Sequence, residues 1–230
     1  FKQKTAYEIY QCDWSSDVCS SDLAAIGAGV LPGVGSVSQE PLLLVCTHSR
    51  RDQCCAQHGR ALLAGLLEQE TPLRTRIWEC SHIGGHRFAP VTLSLPASIV
   101  HGRMSIPEGV AMLALLGQGK VLPDRMRGRS SLPEPLQSAE VAVRRAEGID
   151  GMDALDVLLV HDDRAVPVAW GWAVPTGAVE LEVRHVDGRA WRAVVEGRRS
   201  DTVRSESCGK EPVPLHEWVT TGIAPAPNWS

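Results

Sequence analysis

Pro41–Cys46 reads PLLLVC, an unbroken apolar run of the length of a buried strand. The polar stretch Thr47–Gln53 follows as a loop. From Cys54 to Glu70, the positions Ala56, Leu62, Leu63, Leu66 and Leu67 recur at helical spacing, which predicts a helix starting just past that loop. Thr75–Cys80 predicts a second strand. VTLSLP and SIVHGRM, separated by a tight Pro-Ala connection, predict a hairpin. Ser105-Ile106-Pro107-Glu108 then has capping-box spacing with Pro inside the first turn, so GVAMLALLGQGK continues as an amphipathic helix that ends at Gly117–Gly119.

The pattern changes after Val121. Pro123–Pro133, rich in Arg, Ser and Pro, reads as a loop and a boundary. Leu136–Glu147 and Gly151–Val160 read as helices, or as a helix followed by a strand. Alternation in VELEVRHV and WRAVVEGR on either side of Asp187-Gly188 predicts a second hairpin. Arg127–Val203 is therefore expected to form a small α+β appendage, with the remainder a tail that has room to fold back.

Composition narrows the class. At 230 residues and 43% hydrophobic, the chain has enough apolar side chains for a core plus an appendage. A net charge of −4 and a sequence pI near 6.1 argue against nucleic acid as a partner. No apolar run reaches the length of a membrane span; Ala24–Val37 is too short and too rich in glycine. Cys46, Cys54, Cys55, Cys80 and Cys208 are an odd set in a chain of ordinary size, which suits a reducing cytoplasm better than a secreted disulfide framework.

The candidate chemistry lies in two segments, CTHSRRDQCC and ECSHIGGH. Cys46, Cys55, His82 and His86 place two thiols and two imidazoles at the ends of the two predicted strands, and such a donor set suits zinc or an iron–sulfur centre. Cys54 beside Cys55 is a rival for the second thiolate. The histidines lack the helical H-E-x-x-H spacing of a hydrolytic zinc enzyme, and Gly84-Gly85 between them predicts a turn.

CTHSRRDQCC (Cys46–Cys55) followed by WECSHIGGHRFAPVTLSLP (Trp78–Pro96) resembles the sucrase/ferredoxin-like family of thioredoxin-like ferredoxins, including members with a two-Cys, two-His [2Fe–2S] cluster. The resemblance runs from about Leu42 to Leu115, and SCGK at Ser207–Lys210 is similar to the family's C-terminal end. It implies an α/β fold, with a thioredoxin-like ferredoxin domain over residues 41–121 and a C-terminal α+β appendage and tail over 122–230. It also implies a second thiolate nine positions after the first, which is Cys55, leaving Cys54 as a packing residue. The cluster ligands are then Cys46, Cys55, His82 and His86, with both imidazoles on one iron and both thiolates on the other. Imidazole ligation raises the potential; the Rieske range is roughly −150 to +300 mV, against about −400 mV for plant-type ferredoxins. Arg50, Arg51, Arg60 and Arg87 are positioned in sequence to ease reduction or to dock an acidic reductase.

Phe1–Leu23 share no periodicity with the rest and resemble a translated sequencing-adapter read, so they are set apart as a non-native leader; if genuine, Cys12 and Cys19 would make a C-x6-C pair. Residues 24–40 read as a linker or a remnant of a truncated N-terminal part. The expected function is an electron carrier, rather than a catalyst, that works with a redox partner protein. Two alternatives use the same residues: a structural Cys2His2 zinc site without redox chemistry, or a thioredoxin-like thiol oxidoreductase, which wants a C-x-x-C where this chain has Cys54-Cys55. Glycoside hydrolysis needs two carboxylates across a sugar cleft, and the HDD at His161–Asp163 makes no such case.

Overall fold

The computed structural model describes residues 30, 38–48, 53–168, 172–174, 176–205 and 209–226. Two five-stranded sheets organise them. The first has the order β2-β1-β3-β4-β5, built from β1 (Leu42–Cys46), β2 (Ile77–Cys80), β3 (Val91–Leu95), β4 (Ile99–Gly102) and β5 (Met126–Arg129). β1 and β2 are parallel, and β3, β4 and β5 run antiparallel to their neighbours. With helix α1 (Gln53–Leu67) between β1 and β2 and α2 (Ile106–Leu116) after β4, this is the thioredoxin-like arrangement, a mixed α/β fold.

Alternation in β1 explains the layering. Leu43 and Val45 face the helices and share a core with Ile77, with Leu62, Leu63 and Leu66 of α1, and with Met112, Leu113 and Leu116 of α2. The two helices pack closely because Gly65 lies against Ile106 and Gly109 against Leu62: an added Cβ would come within 2.4 Å of the neighbouring side chain at either position. Ser105 closes the capping box at the start of α2, with its side chain accepting from the Glu108 backbone and Glu108 accepting in return from the Ser105 backbone at 2.8 Å. That bonding holds the Glu108 carboxyl down at about 2. The other face of the sheet carries Leu42, Leu44 and Leu93, partly buried, and the exposed Trp78.

One stretch differs from expectation. β5 lies within Pro123–Pro133, expected to be a loop, so the first sheet reaches past Val121. MRGR carries one apolar side chain, which is too little periodicity to read as a strand. Of the two readings of Leu136–Glu147 and Gly151–Val160, helix followed by strand holds: a helix covers Glu134–Glu147, and strand β6 (Leu155–His161) follows a short turn. The tail folds back as strand β10 (Pro212–Pro225), which pairs across two register shifts with strand β9 (Ala190–Ser205). Its prolines are tolerated because β10 is an edge strand.

The second sheet is antiparallel, ordered β10-β9-β8-β6-β7, with β7 (Arg164–Val166), β8 (Val179–His185) and β9 (Ala190–Ser205). The hairpin predicted across Asp187-Gly188 joins β8 to β9. Helix α3 (Glu134–Glu147) lays Leu136, Ala139 and Val143 on this sheet, against Leu155, Leu181, Val183 and Trp191. The HDD segment turns β6 into β7, with Asp162 and Asp163 at φ of 48° and 59°, the conformation of a tight hairpin turn.

Candidate metal centre

Cys46 ends β1 and is wholly buried, and parallel pairing sets Cys80 at the end of β2 directly beside it. Cys55 lies in the first turn of α1, also wholly buried, whereas its neighbour Cys54 is only partly so. Cys46 and Cys55 meet with Val91 in one apolar cluster, bordered by Cys80, Ile83, Phe88 and Val100. Gly59 makes the approach possible: a Cβ there would stand 2.1 Å from the Cys46 carbonyl oxygen, so a larger residue would hold α1 away from β1.

The histidines leave β2 on the next loop. Gly84 and Gly85 have φ of 99° and 66°, which confirms the expected turn and is a conformation glycine adopts freely. They deliver His86 into a short 3-10 helix, His86–Phe88, where it is buried. His82 is partly buried, with its ring centroid 6.0 Å from that of His48. Thr47, next to Cys46, donates through its hydroxyl to Glu79 at 2.7 Å, and its backbone N–H donates to the Cys80 carbonyl at 3.3 Å, so the ends of β1 and β2 are tied together.

The structure thus brings Cys46 and Cys55 together from different elements and sets His82 and His86 on the loop beside them. Among the described residues no group of three or more His, Cys, Asp or Glu side chains stands ready to hold a single metal ion. Cys80 ends β2 as a partly buried strand residue; its contact with Cys46 follows from parallel register, which the sequence does not state. Burial, then the charges of Cys46 and Glu79, push its thiol up to about 12, so Cys80 stays protonated at neutral pH. Arg60 is exposed on α1, while Arg50, Arg51, Cys12, Cys19, Cys208 and the leader lie outside the described residues.

The sequence also gave no warning of Phe88. Arg127, Arg87 and Arg103 place their guanidinium carbons 3.4, 4.8 and 5.0 Å from its ring centroid. Gly102 allows this packing, since a Cβ there would come within 2.9 Å of Phe88.

The model of one family, described as sucrase/ferredoxin-like, matches residues 2–128, more than half of the chain. The chain belongs to the sucrase/ferredoxin-like family. The match takes in the CTHSRRDQCC and ECSHIGGH segments, begins within Phe1–Leu23 and ends within β5. No curated protein matches the chain. Two solved structures of a thioredoxin-like [2Fe–2S] ferredoxin from Aquifex aeolicus are similar to it. One has 18% identity and a TM-score of 0.36, covering 42% of this chain and 97% of the ferredoxin. The other, of the wild type, has 14% identity and a TM-score of 0.35, covering 40% of this chain and 100% of the ferredoxin. Among the described residues no helix is long and apolar enough to cross a membrane.

Proposed function

We propose that this chain is a cytoplasmic electron carrier that holds a [2Fe–2S] cluster on Cys46, Cys55, His82 and His86 and exchanges electrons with a redox partner protein. The observation that carries the reading is the meeting of Cys46 and Cys55, two thiols nine positions apart, wholly buried at the seam between β1 and α1. The donor set fits a cluster ligated by two thiolates and two imidazoles. A bound cluster supplies a reversible one-electron couple.

The chain's own residues would set the conditions for it. Val91, Ile83, Phe88 and Val100 keep water from the thiols, which strengthens every charge interaction there. The Thr47–Glu79 bond and the Gly84-Gly85 turn fix the two loops that present the ligands. Arg87, the residue after His86, supplies positive charge on the side of the cleft described below.

Metal and sulfide analysis of the purified full chain, with visible and electron-paramagnetic-resonance spectra, tests the reading. Two irons and two acid-labile sulfides per chain are expected, with a rhombic signal on reduction. A colourless protein with stoichiometric zinc overturns it in favour of a structural Cys2His2 site.

A further inference from the structure

Five arginines from five segments line one cleft of about 530 Å³ between the first sheet and the second: Arg87, Arg103, Arg127, Arg145 and Arg204. Two carboxylates, Glu134 and Glu217, share the lining, which leaves an excess of three positive charges. Backbone carbonyls aim two of the guanidinium groups without neutralising them. Arg103 donates to the Arg87 carbonyl at 3.4 Å, and Arg145 donates to the carbonyls of Pro123, Asp124 and Met126 at 3.1, 3.1 and 3.3 Å. The guanidinium carbon of Arg127 lies over Phe88, 3.4 Å from the ring centre, a cation–π contact that helps to hold it in place. Desolvation in the cleft, then the like charges of Arg87, Arg103 and Arg145, lower the Arg127 guanidinium to about 10, still fully charged at neutral pH.

Gathering like charges in a concave site is unfavourable unless an anion offsets them. Guanidinium forks match phosphate oxygens two at a time, and a half-open cleft of about 530 Å³ has the size for a compact ligand. We propose that this cleft binds the diphosphate group of a small molecule, either free pyrophosphate or the end of a diphosphate ester. The site is separate from the proposed cluster ligands, although Arg87 adjoins His86. Its binding is read without reference to cluster content, so either proposal can fail while the other stands.

The test is calorimetric titration of the full chain with inorganic pyrophosphate and, separately, with ADP. One-to-one saturable binding that weakens as salt is raised is expected for at least one of them. Arg127→Gln and Arg103→Gln should each weaken it about tenfold or more, as expected for loss of a charge-assisted hydrogen bond. Arg74→Gln, exposed in the 3-10 helix before β2 and outside the cleft lining, should leave it unchanged. If either cleft variant fails to fold, Arg204→Gln on β9 serves in its place, with the same weakening expected. Equal binding of the two probes assigns free diphosphate, and tighter binding of ADP assigns an ester; both support the site. Lack of saturation with both probes, binding untouched in the cleft variants, or tighter binding of a hexaglutamate peptide than of either probe overturns the proposal.

Discussion

At Cys54 and Cys55, adjacent residues of the same chemistry, the backbone separates the roles. Cys55 turns into the apolar cluster with Cys46, and Cys54 stays part-exposed on α1. Cys46→Ser or Cys55→Ser is therefore expected to abolish cluster assembly and Cys54→Ser to spare it largely, read as iron and sulfide per chain; loss in Cys54→Ser with retention in Cys55→Ser reverses the assignment. His101 raises a different question. It sits wholly buried on the helix-facing side of β4, across from Thr92 on β3, and among the described residues both its ring nitrogens and the hydroxyls of Thr92 and Ser94 have no hydrogen-bond partner. Burial lowers its pKa from 6.5 to about 4. Because the folded pKa lies below the unfolded one, the unfolded chain binds more protons between those values. Stability is thus complete above pH 6.5 and falls as pH drops toward 4, by at most roughly 3 kcal/mol. His101→Leu, which gives up no hydrogen bond, should remove this fall while changing neutral-pH stability little; urea titrations of both proteins at pH 7, 5.5 and 4.5 check it, and an equal fall in the variant refutes the attribution.

Elements were legible wherever a side-chain pattern was long enough to show its period. The Ser105–Glu108 box, α1, the β3–β4 hairpin and the hairpin at Asp187-Gly188 all rest on such patterns, and all four are present. β5 and β10 were not, for opposite reasons: β5 is four residues long with one core side chain, and β10 is long but broken by prolines that its edge position allows. The CTHSRRDQCC and ECSHIGGH segments stood out by their donor types, and the turn at Gly84-Gly85 was legible as geometry. The contact of Cys80 with Cys46 and the arginines around Phe88 were not, because both depend on strands that meet through register rather than through nearness in sequence. Gly59 is the sharpest case of an element set by a single residue. On propensity alone Ala would favour the helix by about 1 kcal/mol. Its Cβ would meet the Cys46 carbonyl, and the overpacking costs about 1–3 kcal/mol. Gly59→Ala is expected to lower the melting temperature and to reduce cluster content, since α1 carries Cys55; a variant as stable and as fully loaded as the parent would show that α1 shifts without cost.

The two sheets are joined by a buried ion cluster and a short ladder of backbone bonds. Glu140 of α3 accepts through one oxygen from Arg129 of β5 at 3.0 Å and from Arg144 at 3.0 and 3.1 Å, with Glu140 and Arg144 wholly buried. Arg144 also donates to the carbonyls of Gly151 and Met152 at 2.7 and 2.9 Å, and Arg129 reaches the Met152 carbonyl as well. Alongside, Val121 donates to Asp150 and Met152 to Gly119, each at 2.8 Å, so the segment leaving α2 pairs with the one entering β6. A buried pair adds little net stability when intact, because desolvation offsets its attraction, but removing one partner leaves a charge stranded. Glu140→Gln strands the buried Arg144 at the joint, leaves Arg129 only the exposed Asp153 at 3.6 Å, and is expected to cost about 3–5 kcal/mol. Because Glu140 links β5 to α3, both sheets should lose stability together, as one transition displaced to lower temperature when followed by far-ultraviolet circular dichroism and by tryptophan fluorescence. Trp78 reports from the first sheet and Trp191 from the second. With every tryptophan except Trp78 or Trp191 replaced by phenylalanine in turn, the two reporters should shift equally on Glu140→Gln. A shift confined to Trp191 would mean that α3 belongs to the second sheet alone and that the cleft between the sheets is free to open.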